Sequence, residues 1–323
     1  MQPLPIPYHP SQDILDSTKI QCYQDCPRRF FYEYMLGWRS SYPSNHLHFG
    51  KCVHLALEHI ILHEYSGKSV IEAIEIFNNE YRMIFPESTD PIYTPKTPSR
   101  FFDCLLMYLK QWASDKAQYE VYKTEFGGTV SLGDDYKIAF KMDTILRDRY
   151  SGLYCSLEHK TSAGNYTNSN YDIQHEMGIQ CGTYTHVLNC IFPPEQVSGV
   201  IINLLQFKKT KDSTYKGVDF ILQRFPINLS NARMYDWMMN TREWIDLINK
   251  DKESLSQCSD SDDLMTCFPK NGRSCTNYNK ACTYIDLCRA WQNPLQHLHR
   301  MPNDLEISFW NPLEEELREV MTL

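Results

Sequence analysis

The sequence predicts an α/β protein: a mixed central β-sheet flanked by helices, followed by a cysteine-rich C-terminal segment. Three observations carry that expectation. Residues 136–162 read as two strands joined by a turn at Arg149-Tyr150-Ser151-Gly152, because the flanks alternate and the middle has turn chemistry. Runs at 197–208 and 218–225 read as two more strands, separated by a basic turn, that extend the same sheet. Helical periodicity upstream and downstream supplies the covering layers.

The 323 residues can bury a large core, as one elaborated domain or two modest ones. No apolar run approaches the ~18 residues of a membrane span. Residues 1–10 hold four prolines and no basic-then-apolar pattern, so no secretory signal is expected and the protein is expected in the cytoplasm. The net charge of −8 excludes a protein that simply coats nucleic acid, though not an enzyme with a local basic groove. Short basic groups lie at Arg28-Arg29, at Lys208-Lys209 with Lys211, and at Lys270, Arg273 and Lys280.

In chain order, residues 17–25 make a short helix, and Pro27 suits the first position of a second helix that ends near Gly37. Cys26 is held out of the helical region by that proline. A helix entered around His48 runs to about Tyr65 and puts His54 and Glu58 one turn apart on one face. Helices are expected at 70–85 and 100–119, with a loop between them carrying Pro86, Pro91, Pro95 and Pro98. Residues 120–130 begin the strands, and Glu125 is a further acidic candidate there. A polar loop spans 165–172, and a helix from about Gln174 to Cys190 carries an apolar stripe of Met177, Cys181, Tyr184 and Leu188. A long helix is expected at 228–255. The tail, 301–323, holds Trp310, Pro312 and an acidic helix around Glu314–Glu319, docked on the body or on a partner.

The chemistry lies in the hairpin. Alternation puts Ile138, Phe140, Met142 and Leu146 on one face of the first strand, with Lys141 and Asp143 opposite. On the second strand Leu153, Cys155 and Leu157 share a face, leaving Ser156, Glu158 and Lys160 on the other. A loop closed by Asp148 and Leu153 sets Asp143 directly across from Glu158. Facing side chains have Cβ atoms ~5 Å apart, and like charges there repel. Two such carboxylates call for a cation, and a divalent metal held by oxygen ligands suits them. Read alone, the same residues also fit a solvated hairpin face with a Glu–Lys pair.

Asp143 followed by Glu158-His159-Lys160 resembles the PD-(D/E)xK nuclease superfamily, whose core is an aspartate on one strand and Glu-x-Lys on the next. Gly50 and His54 match the Gly-x-x-x-His element of its RecB-like branch, and Gln180 with Tyr184 matches the Gln-x-x-x-Tyr element that follows. The resemblance implies a restriction-endonuclease-like core and a Mg²⁺- or Mn²⁺-dependent deoxyribonuclease. It makes Asp143, Glu158 and Lys160 catalytic, with His54, Asp143, Glu158 and the carbonyl of His159 on the metal. Gln180 and Tyr184 would brace the site and touch DNA. The implied substrate is DNA that is single-stranded or has free ends, cut by an exonuclease of recombination, repair or phage-type processing. One departure is visible: Lys141-Met142 precede Asp143, where a glycine two residues ahead is frequent.

The phrase Cys26-Pro27-Arg28-Arg29-Phe30-Phe31-Tyr32 is similar to the opening of RecB-like nucleases that carry an iron–sulfur cluster. Cys275, Cys282 and Cys288 follow the core, giving the one-plus-three order of four thiolates, though with wider spacing than usual. Four thiolates hold a [4Fe–4S] cluster or a structural Zn²⁺, and a third reading has no metal at all. Cysteines inside apolar segments (Cys52, Cys104, Cys155, Cys181 and Cys190) read as small buried residues. The organisation expected is a helical region at 1–120, a nuclease core at 121–255, an iron–sulfur segment at 256–295 and a tail at 296–323. The competing expectation is a non-catalytic, metal-stapled DNA-binding or assembly subunit, in either case with room for a protein partner or a homo-oligomer.

Overall fold

The computed structural model describes residues 4–163, 171–208, 219–314 and 317–323. The chain runs through helices α1 (Ser17–Asp25) and α2 (Pro27–Phe30), strand β1 (Trp38–Ser40), α3 (Asn45–Leu62), α4 (Gly67–Arg82), α5 (Asp90–Tyr93), α6 (Pro98–Gln111) and α7 (Asp115–Gln118). Strands β2 (Tyr119–Ser131), β3 (Lys137–Asp148) and β4 (Tyr154–Ser162) follow, then α8 (Tyr171–Glu176), α9 (Ile179–Ile191), β5 (Val197–Phe207) and β6 (Phe220–Ile227). The remainder is α10 (Asn231–Leu255), α11 (Ile285–Ala290), β7 (Leu305–Ile307) and β8 (Glu319–Thr322). Among the described residues no helix is long and apolar enough to cross a membrane.

A six-stranded mixed sheet in the order β6-β5-β4-β3-β2-β8 forms the centre of the described residues. The β3–β4 hairpin closes as its turn chemistry dictates. Asp148 N–H donates to Leu153 O at 2.8 Å, and the Asp148 carboxylate accepts the N–H groups of Tyr150 and Ser151. Gly152 takes φ +75°, which a glycine adopts without steric penalty. β4 and β5 are parallel and joined through α8 and α9, as a parallel pair requires. Helices cover both faces. Phe49, Val53, Phe77 and Phe101 pack on Leu205, Phe207, Phe220 and Leu222 on one side, while Cys181, Val187, Trp237 and Ile245 belong to the core containing Met142, Ile202 and Phe225.

The helix expected at 174–190 is two, α8 and α9, broken at Met177-Gly178. Met177 therefore leaves the apolar stripe and is exposed, while Cys181, Tyr184 and Leu188 are buried. The helix expected at 100–119 stops at Gln111, resumes for one turn in α7, and gives way to β2 at Tyr119. The proline-rich loop holds the short turns Glu87–Thr89 and Asp90–Tyr93. The helix expected around Glu314–Glu319 is not present among the described residues. Glu319–Thr322 instead adds to the edge strand β2 in parallel, satisfying backbone groups that edge would leave unpaired. Leu146 does not join Ile138, Phe140 and Met142; it packs with Ile61, Cys155 and Leu157, and Ile145 enters the main core instead. The β2–β3 ladder shifts register between Val121 and Lys123, opposite Leu146 and Ile145, and Glu125, facing Asp143, has φ +43°. The basic turn and most of the polar loop lie outside the described residues.

The two chain ends meet on the α1–α2 side. After α2 the chain makes one π-helical turn, Phe31–Met35, and its aromatic rings bury against Phe268: Phe30 stacks on it at 6.1 Å and Phe31 lies at 5.5 Å. Such pairs add ~0.5–1.5 kcal/mol each beyond area burial. Buried Arg28 donates to Phe268 O at 2.8 Å, and its N–H donates to Pro269 O. The tail docks on the body, with Phe309 stacked on His9 at 4.3 Å and Trp310 near Tyr34.

Candidate active site

The β3–β4 ladder is paired from Arg147↔Tyr154 to Thr144↔Leu157, so its register places Asp143 opposite Glu158, although the ladder itself ends one pair short. Beyond Thr144 the Asp143 carboxylate takes over: its Oδ2 accepts the His159 N–H at 2.8 Å. Its Oδ1 lies 3.1 Å from Nδ1 of His54, which α3 delivers across the sheet. Lys160 Nζ and Gln180 Nε2 both donate to Glu158 Oε1, at 2.7 and 2.9 Å. Gln180 Nε2 also reaches Tyr184 Oη at 2.9 Å, and the Tyr184 hydroxyl donates to Lys141 O. Asp143, Glu158, His159, Lys160, His54, Gln180 and Tyr184 thus form one connected constellation.

Its electrostatics are those of buried charges sharing a small space. Burial and the nearby Asp143 charge push Glu158 up to about 7, with Lys160 opposing. Against the cost of its own burial, Asp143 is held well below the usual carboxylate range by the His54 ring and the His159 amide. His54 is raised to about 9, because the pull of Asp143 outweighs desolvation. Lys160 is likewise raised despite burial, by Glu158. Glu158 Oε2 is buried and has no hydrogen-bond partner among the described residues. An orphaned carboxylate oxygen beside a second carboxylate is the donor set of a hard divalent cation, so these residues fit one. Among the described residues no three His, Cys, Asp or Glu side chains converge tightly enough to make a ready-formed metal cage.

Glu125 adjoins the site. Burial and Asp143 raise it to about 7, while Lys141 pairs with it at 3.0 Å. Two contributors escaped the sequence reading as site neighbours. Glu58, one turn after His54, is buried and accepts from Thr124 Oγ1 at 2.7 Å and from Arg318 Nε at 2.6 Å. Arg318 precedes β8, and its N–H donates to Glu125 O. The His54/Glu58 spacing was a usable signal for Glu58; nothing local marks Arg318, whose approach depends on the parallel β8 pairing.

Cys26, Cys275, Cys282 and Cys288 line one cavity of about 210 Å³, together with Arg29, Lys270, Tyr284 and Arg289. Cys26 takes the extended conformation the following proline requires, and its Sγ accepts the Asn271 N–H at 3.4 Å. Burial raises Cys282, and Cys288 to about 11. The four cysteines thus share one cavity with cations at its wall, but among the described residues they do not converge into a ready-formed metal-binding group. Cys258 and Cys267 stand apart from this cavity, with their sulfurs 3.8 Å from each other.

A family model described as the PD-(D/E)XK nuclease superfamily matches residues 17–289 of the chain. Among solved structures, one titled "Crystal structure of SSO0001" is 14% identical over 60% of this chain and 74% of that chain, with a TM-score of 0.23. No curated protein matches.

Proposed function

The chain belongs to the PD-(D/E)XK nuclease superfamily, and from that premise we propose that it is a RecB-like, divalent-metal-dependent deoxyribonuclease. We read it as an exonuclease for DNA with free ends or single strands, in recombination, repair or phage-type processing. One observation supports this most: Glu158, opposite Asp143, turns one oxygen to Lys160 and Gln180 and leaves the other buried and unpaired among the described residues.

Asp143, Glu158, His54 and the His159 carbonyl would hold Mg²⁺ or Mn²⁺, which when bound lowers the pKa of water and polarises a phosphate. Lys160 Nζ, held as an ammonium against Glu158, orients the attacking water and offsets charge on the scissile phosphate. Gln180 fixes the Glu158 carboxylate through Oε1, and Tyr184 anchors Gln180 to the β3 main chain at Lys141. We assign the cysteine cavity to a [4Fe–4S] cluster, with structural Zn²⁺ as the alternative.

The test is digestion of end-labelled linear and closed-circular DNA, single- and double-stranded, with Mg²⁺, Mn²⁺ or EDTA. Linear DNA should shorten from its ends with either metal, circles should survive, and EDTA should stop the reaction. Cleaved circles would make it an endonuclease. Folded protein that cuts none of these DNAs with either metal would overturn the proposal.

A further inference from the structure

The His159 side chain lies between Glu158 and Lys160 and takes no part in the mechanism above, yet it is fixed by a buried polar chain across three strands. His159, Asn203 and Arg224 are successive cross-strand partners on β4, β5 and β6. Asn203 Nδ2 lies 2.8 Å from His159 Nδ1 and 3.2 Å from Tyr108 Oη. Arg224 Nε donates to Asn203 Oδ1 at 3.3 Å. Its two terminal nitrogens pair with Asp115 at 2.9 and 2.5 Å, and its guanidinium lies 4.0 Å from the Trp112 ring centre.

The direction of every bond in that chain follows from its cationic end. A guanidinium only donates, so the amide oxygen of Asn203 faces Arg224 and the NH₂ faces His159. An NH₂ also only donates, so Nδ1 of His159 carries the lone pair and the proton sits on Nε2. That Nε2–H is buried with no partner among the described residues. A buried unpaired donor costs ~1–3 kcal/mol, which an apolar residue there would avoid. The imidazole is therefore a poor choice for stability and a good one for placement. Its main chain N–H holds Asp143 Oδ2, and its two neighbours carry the carboxylate and the ammonium of the site.

We propose that Asn203 is a positioning residue of the active site: oriented by the Arg224–Asp115 pair, it fixes the His159 ring as its Nε2–H tautomer, and with it the main chain that presents Glu158, Lys160 and the Asp143-binding amide. This rests on the nuclease reading of that site. Residues that orient a ligand-bearing segment from behind commonly control metal affinity and activity about tenfold or more.

The test compares Asn203→Leu and Asn203→Asp with Leu205→Ala, which sits two residues along β5 in the core layer shared by α3 and α6. Asn203→Leu removes the donor at similar volume. Asn203→Asp keeps the shape and the partner for Arg224 but demands a proton on His159 Nδ1. Three readouts are used: the ¹⁵N signature of the His159 tautomer, assigned with His159→Gln; Mn²⁺ affinity by calorimetry; and kcat against KM on DNA. Both Asn203 variants should lose the Nε2–H signature, bind Mn²⁺ about tenfold more weakly and lose kcat with little change in KM. Leu205→Ala should lower Tm and leave all three unchanged. A folded Asn203→Asp that keeps the tautomer or the Mn²⁺ affinity of the native protein overturns the proposal, as does Leu205→Ala reproducing the losses. If the native protein cuts no DNA, the nuclease reading fails, while tautomer and Mn²⁺ affinity still decide whether Asn203 positions this site.

Discussion

Replacing Glu158 by glutamine should stabilise the metal-free protein near neutral pH and abolish its response to metal. The Glu158 side chain is almost fully buried, and its carboxyl is raised from an ordinary 4.5 to about 7 by burial and by Asp143. A carboxyl with its folded pKa above its unfolded one binds more protons when folded, so metal-free stability falls as pH rises between 4.5 and 7. A shift of that size amounts to about 3 kcal/mol at most. Loss of the Lys160 ion pair in the variant subtracts from it. Glutamine keeps the hydrogen bond from Gln180 and carries no charge, so the Tm difference between variant and native protein in EDTA should move in the variant's favour from pH 5 to pH 8. Mn²⁺ at about 100 times its Kd should add ~2.7 kcal/mol to the native protein. For a chain of 323 residues that is roughly 4 °C in Tm. Differential scanning calorimetry at both pH values, with EDTA or Mn²⁺, measures every quantity. Equal Mn²⁺-induced shifts in both proteins would refute the assignment of Glu158 as a ligand; a Tm difference independent of pH would refute the repulsion argument.

Lys160→Ala should abolish cleavage while leaving the fold and Mn²⁺ binding in place, since its ammonium contacts Glu158 through one oxygen only; near-native turnover in end-labelled digestion would remove it from the mechanism. His54→Ala should slow cleavage more at low Mn²⁺ than at high, because Asp143 and Glu158 remain; a rate loss independent of Mn²⁺ would make His54 a packing residue. Purified protein should be brown, absorb broadly near ~400 nm and contain about four irons per chain. Cys26→Ser should lower Tm severely; Cys190, expected to be buried but exposed at the end of α9, should on replacement by Ser change stability by only ~0.5 kcal/mol. One zinc per chain would identify a zinc staple, and active, folded protein with neither metal would remove the centre.

The sheet was legible because its signals are local. Turn chemistry at Arg149–Gly152 closes the hairpin at Asp148 and Leu153, and that closure alone fixes Asp143 opposite Glu158. The i, i+4 spacing of Gln180 and Tyr184 likewise needed nothing beyond a helix. What escaped depended on distant partners. Arg318 reaches Glu58 only because β8 adds to an edge strand, and an acidic run in the tail reads as helix until that edge is known. Leu146 changes face where the β2–β3 register shifts between Val121 and Lys123, a bulge that no periodicity encodes. Asn203 is invisible as a site residue, being one asparagine in an otherwise apolar strand, until β4 and β6 flank it.

The cysteine cavity and the active site are separate, but the packing joins them. Cys26 sits between α1 and α2, and α1 packs on α9, the helix that carries Gln180 and Tyr184. Asp16, at the α1 N-cap, bridges Ala139 on β3, four residues before Asp143. A centre tying Cys26 to Cys275 would close a loop of roughly 250 residues, an effect of about 5 kcal/mol in the chain-entropy model of a cross-link. That constraint would act on α1 first and through α9 on the hydrogen bond from Gln180 to Glu158. Losing the centre would therefore weaken cleavage by loosening the brace on Glu158, while Asp143, Glu158 and Lys160 keep their chemistry. The order of failure on thiolate loss should be Tm, then metal affinity, then the chemical step.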